Sequence, residues 1–265
     1  MKRIITLFDV LNTPWNVVHF AIKLAKEKLT PITGVFLAGR VNKTPLRYPF
    51  PNDMALTEDD LSQQSISHEQ AVLIDDNIKL FNDACANEGV NSNIRKDVLI
   101  KDFIGECSEK DLIIADTRAD FLDEFLPRVT CPVYLTSENE LPEKVLLMLD
   151  EGVSSRNAIE KFIAVLPGYS SLPADVVSVN LSDEQVISNR EYIKHHVSKN
   201  FSQLTENRLE GNVETELLKF LTHEDAHIMV VMGAFGRSGI SRFFKNSLAN
   251  VILEKTRLSL FIVHK

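Results

Sequence analysis

Three of the ten glycines of this 265-residue chain fall within seven residues, Gly233-Ala-Phe-Gly236-Arg-Ser-Gly239, directly behind the apolar run Ile228-Met-Val-Val-Met232. Glycine at the carboxyl end of a buried strand lets the backbone approach a ligand closely and take positive φ, and the N–H groups of a following helix point at an anion. A phosphate is the natural occupant of such a place. The spacing is neither the dinucleotide fingerprint nor the phosphate loop that ends in Gly-Lys-Ser/Thr, because Lys245 is followed by Asn246. Read without a ligand, the same glycines turn the chain from a strand into a helix.

Other groupings offer less. His223-Glu-Asp-Ala-His227 matches His-Glu-x-x-His, but zinc chemistry needs both imidazoles one turn apart on one helix face. The helical period of 213–221 is ending there and His227 opens a strand, so no zinc site is expected. His195 and His196 are neighbours in a helical stretch and point about 100° apart, which suits surface residues. His264 ends the final strand, in a capping or interface position. Cys85, Cys107 and Cys131 are odd in number, lack Cys-x-x-Cys spacing and have no basic neighbour in sequence, as expected of reduced thiols in a cytosolic protein. No Gly-x-Ser-x-Gly elbow occurs, so no catalytic residue is assigned. Ser238 and Ser241 read as phosphate ligands or helix caps, and Phe243, Phe244, Leu248, Val251 and Ile252 as a core stripe.

The elements that must position the glycines come in two copies. Arg3-Ile-Ile-Thr-Leu-Phe-Asp9 and Lys144-Val-Leu-Leu-Met-Leu-Asp150 share a basic residue, an apolar run of strand length and a terminal Asp, offset by 141 residues. Each reads as a buried parallel strand delivering a carboxylate at its carboxyl end. An amphipathic segment follows each, then a second strand, Ile32–Leu37 in one copy and 176–180 in the other, which makes a right-handed β-α-β start. Asp111–Asp116 aligns with 227–232 at an offset of 116, and 132–136 overlaps 260–264 at 127, with Val133 set against Leu260. The first copy thus holds 25 extra residues, placed at 40–64 around Pro45, Pro49 and Pro51, before a helix over about 60–87. The second copy holds 11 extra residues between its fourth and fifth strands, and these make the glycine segment.

Composition narrows the classes. With 44% hydrophobic and 25% charged residues the chain can bury a sizeable core. A net charge of −8 and a pI near 5.4, with no dense Lys/Arg run, argue against nucleic-acid partners. No run approaches the roughly 18 apolar residues of a membrane span. Met1–Phe8 imitates the start of a leader, but Asp9 interrupts it, so no leader and a cytoplasmic location are expected.

The series Gly233-x2-Gly236-x9-Asn246-Ser247, set behind a strand in a repeated α/β pattern, resembles the universal stress protein family. Nucleotide-binding members carry Gly-x2-Gly-x9-Gly-Ser/Thr between the fourth strand and fourth helix of a five-stranded α/β fold. Asn246 stands for the third glycine; Asn tolerates left-handed backbone, but adds a side chain where glycine leaves room.

The resemblance implies an α/β fold of two tandem five-stranded parallel-sheet domains, Rossmann-like and adenine nucleotide α-hydrolase-like. They would be a degenerate copy at 1–138 and a copy with the nucleotide loop at 141–265, joined by Glu138-Asn-Glu-Leu-Pro142. It implies that Asp150 contacts adenine or ribose, Val179 contacts adenine through its backbone, and Gly233, Gly236 and Ser247 hold phosphates, with Asn246 among them. The ligand would be ATP, with Mg²⁺ as counter-ion, or a related adenine nucleotide.

The first copy keeps Asp9 but has Thr117-Arg118-Ala119-Asp120 where the loop should begin. Asp116, Asp120, Asp123 and Glu124 there would repel a triphosphate and read as a solvated acidic loop, or else as a cation or partner site. In the family the last strands of two units pair, so the chain would be a dimer within one molecule, with room for a homodimer of the whole. The expected function is a cytoplasmic stress-response protein regulated by nucleotide in its second half. The alternatives are a nucleotide-free scaffold for a protein partner or, ranked lower for want of a general base or metal carboxylates beyond Asp150, a slow ATP hydrolase.

Overall fold

The computed structural model describes residues 1–9, 13–37, 68–136, 140–150, 152–179, 181–222, 227–233 and 258–263. In the first part of the chain β1 (Arg3–Asp9), α1 (Trp15–Lys28) and β2 (Ile32–Leu37) are followed by α2 (His68–Asn87), β3 (Ser92–Val98), α3 (Ile100–Glu106), β4 (Asp111–Asp116), α4 (Leu122–Phe125) and β5 (Val133–Thr136). The second part runs β6 (Lys144–Met148), α5 (Val153–Val165), a 3₁₀ turn (Pro167–Ser171), β7 (Ala174–Val179) and α6 (Asp183–Tyr192). A π turn (Ile193–Val197), β8 (Leu204–Leu209), α7 (Val213–Thr222), β9 (Ile228–Gly233) and β10 (Leu258–Val263) complete it.

All ten strands join one sheet in the order β3-β2-β1-β4-β5-β10-β9-β6-β7-β8. Every neighbouring pair is parallel except β5 and β10, which meet antiparallel at the centre. The last strand of each part therefore lies at the seam, as the resemblance implies.

Mostly apolar runs such as Ile4–Phe8 form buried strands because helices cover both faces of the sheet. Alternate residues go to opposite layers: Ile4 and Phe8 to one, Ile5 and Leu7 to the other. Both layers run through the two parts, the first from Phe8 and Phe36 to Phe162 and Phe261, the second from Phe103 and Phe125 to Leu146 and Met148. α1 contributes Val17, Val18, Phe20, Ala21 and Leu24, and stops where Leu29 turns left-handed (φ 50°). α6 starts at a capping box in which Ser182 and Gln185 satisfy each other's backbone N–H groups. The outer strands β3 and β8 carry Arg95, Lys96 and Asp97, and Glu206 and Arg208, charges that discourage further strands from adding to the sheet.

The registers correct one of the sequence offsets. Arg3 pairs with Asp111, and its counterpart Lys144 pairs with Ile228, so β4 and β9 are offset by 117 rather than 116. Ile113 pairs with Val133 and Val230 with Leu260, which keeps β5 and β10 at 127. The first part then has 24 extra residues, not 25, and the second has 10 between its last strands, not 11. At the seam Tyr134 faces Phe261 and Leu135 faces Leu260. Residues 134 and 261 are counterparts at that offset, so a local two-fold axis passes between them.

At the amino end of the sheet the buried Asp111 carboxylate accepts from Arg3 Nε (3.0 Å) and Ser108 N–H (3.0 Å). Burial raises the Asp111 pKa, but the Arg3 and Ser108 hydrogen bonds and the charges of Arg3 and Lys2 outweigh it and hold the carboxyl below its ordinary value. A depressed folded value stabilises the fold above the unfolded pKa of about 3.9, and the benefit disappears as pH falls through the folded value. Asp111→Asn is expected to cost about 1–3 kcal/mol at pH 7. In urea titrations repeated down the pH scale the gap to wild type should close below about pH 4; a gap constant to pH 2 would refute the ion-pair account.

Candidate functional site

β6 lies between β9 and β7, and the chain leaves it through α5 toward β7 while returning to its other side from α7 through β9. This reversal is a topological switch point, where a crevice opens at the carboxyl ends of the strands. Asp150 lies two residues beyond β6, Val179 ends β7 and Gly233 ends β9. The structure thus brings three of the expected residues to the ends of three adjacent strands. Gly236, Asn246 and Ser247 lie outside the described residues, as do Asn180, Ser238, Ser241 and the Phe243–Phe244 pair.

The turn after β6 is tied locally. Asp150 Oδ1 accepts from Gly152 N–H (2.8 Å), Asp150 N–H donates to Ser155 Oγ (3.3 Å), and the Ser155 hydroxyl donates to Gly152 O (2.9 Å). These bonds aim the first turn of α5 at the crevice. Gly152 caps that turn without a side-chain hydrogen bond, and the turn presents the positive end of the dipole of a 13-residue helix. Ser154 and Ser155 are buried in this turn, and Val153 stands exposed.

Gly233 is glycine for a reason the sequence did not suggest. Positive φ occurs at Gly89 and Gly211 among the described glycines, and not at Gly233. A Cβ on Gly233 would come within 2.6 Å of the Ser154 carbonyl carbon and oxygen, so the end of β9 lies directly on the first turn of α5. The first motif glycine is required by packing, and the packing places the strand end beside a helix amino terminus.

The first part builds the corresponding place differently. Asp116 pairs with Thr136 as Gly233 pairs with Val263, so a carboxylate occupies the register position of Gly233. Asp116 was expected in a solvated acidic loop; it is instead a buried strand residue. Its carboxylate accepts from Arg118 N–H (2.8 Å), Nε (3.0 Å) and Nη2 (3.0 Å), and from Asn16 Nδ2 (3.1 Å), which also donates to Thr136 O (2.6 Å). Asn16, 100 residues from its partner, has no local signal that could have revealed this network. A carboxylate held by side chains thus stands at this strand end, where a phosphate would need backbone donors.

Among the described residues no group of three or more His, Cys, Asp or Glu could hold a metal ion. His223 lies outside the described residues, α7 ends at Thr222, and the buried His227 sits at the amino end of β9, its carbonyl accepting from Glu143 N–H (2.8 Å). His195 and His196 are exposed on the π turn, His196 stacking on Tyr192 (5.2 Å between rings). Burial pushes the Cys85 thiol up to about 11. Among the described residues no helix is long and apolar enough to cross a membrane.

No family model matches the chain, and no curated protein does. Solved structures do. A universal stress protein from Archaeoglobus fulgidus DSM 4304 superposes with a TM-score of 0.67 over 100% of this chain and 97% of its own, at 12% identity. A functionally unknown protein from Pseudomonas aeruginosa PAO1 gives a TM-score of 0.57 over 100% of this chain and 92% of its own, at 18% identity. The universal stress protein from Archaeoglobus fulgidus in complex with dAMP covers 51% of this chain and 97% of its own, at 12% identity and a TM-score of 0.34. Full-length coverage by the first of these, with a mostly parallel sheet whose halves meet at β5 and β10, shows that the chain has the fold of the universal stress proteins in a tandem arrangement.

Proposed function

We propose that this chain is a cytoplasmic stress-response protein of the universal stress type whose second half, 141–265, binds one adenine nucleotide as a regulatory ligand, while the first half, 1–138, is a degenerate copy that binds none. The observation that carries this reading is the convergence of Asp150, Val179 and Gly233 on the switch-point crevice beside the amino terminus of α5. The residues present suit such a ligand: Asp150 offers a carboxylate to ribose or adenine hydroxyl and amino donors, the Val179 backbone can read an adenine edge, and helix N–H groups favour phosphate. Gly236, Asn246 and Ser247 would complete the phosphate contacts, with Mg²⁺ as counter-ion if the ligand is ATP. The Asp116 carboxylate, held by Asn16 and Arg118 at the register position of Gly233, would repel a phosphate and supports one site per chain.

Calorimetric titration of the full chain with ATP and Mg²⁺, ADP and AMP tests this. One nucleotide per chain is expected, with binding at least about tenfold weaker, 1.4 kcal/mol, in Gly236→Val. Two nucleotides per chain would contradict the reading of the first half as a copy that binds none. Silent titrations, with no nucleotide released on denaturation, would leave the scaffold reading in its place.

A further inference from the structure

Cys107 and Cys131 are 24 residues apart in sequence and play no part in the nucleotide reading. Cys107 follows α3 and is half-buried; Cys131 precedes β5 and is fully buried against the layer that holds Phe103 and Phe125. The sheet brings them together. Ile113 pairs with Val133, so two residues earlier Asp111 lies level with Cys131. A tight turn, with Asp111 N–H donating to Ser108 O (2.8 Å) and Ser108 N–H to Asp111 Oδ2 (3.0 Å), folds Cys107 back over the strand starts. The Cys131 thiol hydrogen-bonds the Cys107 sulfur, and the Cys107 thiol reaches Phe103 O at 3.2 Å.

We propose that Cys107 and Cys131 form a peroxide-sensitive dithiol, with Cys107 the attacking sulfur and Cys131 the resolving one. The environments of the two sulfurs differ in the way these roles require. The hydrogen bond from Cys131 lowers the Cys107 pKa, helped by the charge of Arg3 and opposed by burial, Asp111 and Glu106. Cys131 is pushed up by the same hydrogen bond and by burial. Cys107 is also the more exposed of the two.

The chemistry balances with one hydrogen peroxide. The Cys107 thiolate attacks the O–O bond; an S–O bond forms, hydroxide leaves, and a sulfenic acid results. Cys131 then attacks that sulfur, the S–S bond forms, the S–O bond breaks, and water departs with the Cys131 proton. The dithiol loses two electrons and two protons, and the peroxide becomes two waters. The disulfide ties the end of α3 to the segment feeding β5, the seam strand.

The full-length protein, treated with one equivalent of hydrogen peroxide, denatured, alkylated and peptide-mapped, is expected to give a single cross-linked pair joining Cys107 to Cys131. Cys85 should be alkylated, dithiothreitol should reverse the cross-link, and Cys85→Ser should give the same pair. In Cys131→Ser, dimedone should label Cys107. Alkylation of both Cys107 and Cys131 after peroxide, a cross-link through Cys85, or dimedone on wild-type Cys107 without a cross-link would each overturn the proposal. Should Cys131→Ser fail to fold, the wild-type map decides alone.

Discussion

Replacing Gly233 by valine is expected to destabilise the protein by about 3 kcal/mol, the upper end of what overpacking usually costs. The added Cβ would meet the Ser154 carbonyl carbon and oxygen at 2.6 Å, and these are backbone atoms held in the first turn of α5. A flexible side chain could swing away; a carbonyl in a helix cannot move without disturbing the turn that carries Gly152 and Ser155. Gly105 is the internal control. It lies in α3 with nothing within 4 Å of where its Cβ would stand, so Gly105→Ala should be neutral or stabilise by about 0.5–1 kcal/mol through helix propensity. Urea unfolding of the three proteins checks both signs. A loss under about 1 kcal/mol in Gly233→Val, below the usual overpacking range, would mean that α5 shifts freely against β9. The same contact explains why Gly236, not Gly233, is the better probe of ligand binding: a defect at Gly233 mixes lost stability with lost affinity.

Much of this architecture is legible in the residues themselves, and the unread parts have physical causes. β1 and β2 could be bounded at Arg3–Asp9 and Ile32–Leu37 because buried parallel strands are mostly apolar runs of strand length. The edge strands β3, Ser-Asn-Ile-Arg-Lys-Asp-Val, and β8, Leu-Thr-Glu-Asn-Arg-Leu, carry no such run, because each has one neighbour and solvent on its other side. The offset of β4 against β9 slipped by one because two apolar runs aligned without their partners have no landmark to set their phase; pairing of Arg3 and Lys144 with their neighbours supplies it. At the candidate site Asp150, Val179 and Gly233 could be named from spacing and resemblance. Ser154 beneath Gly233, Asn16 on Asp116, and Cys131 on Cys107 could not, since each contact joins elements that only the folded sheet brings together.

The seam carries the other large effect. Tyr134 is fully buried at the local two-fold axis, opposite Phe261 on the neighbouring strand. Its ring stacks on Phe20 of α1, with centroids 3.9 Å apart and planes 14° from parallel, and Phe20 in turn reaches Tyr169 of the second part at 6.1 Å. Phe162 of α5 packs edge-on against Phe261 at 5.4 Å. Truncating Tyr134 to alanine therefore opens a cavity bordered by both parts, and the expected cost is about 4 kcal/mol, the range for losing a buried aromatic. Against a total stability of about 5–15 kcal/mol that is a large fraction. Because both apolar layers run across β5 and β10, the two parts are expected to unfold together. The single tryptophan, Trp15, reports on the first part, whereas far-ultraviolet circular dichroism reports on helices of both. In wild type the two signals should trace one urea transition, and in Tyr134→Ala they should move together to lower urea. Leu80→Ala, at a half-exposed position of α2, should stay within about 0.5 kcal/mol. If fluorescence and dichroism separate in wild type, the parts fold independently and the seam is only a contact; if they coincide, one cooperative core spans the two copies, and a disturbance at the Cys131 end of β5 is felt on both sides of the axis.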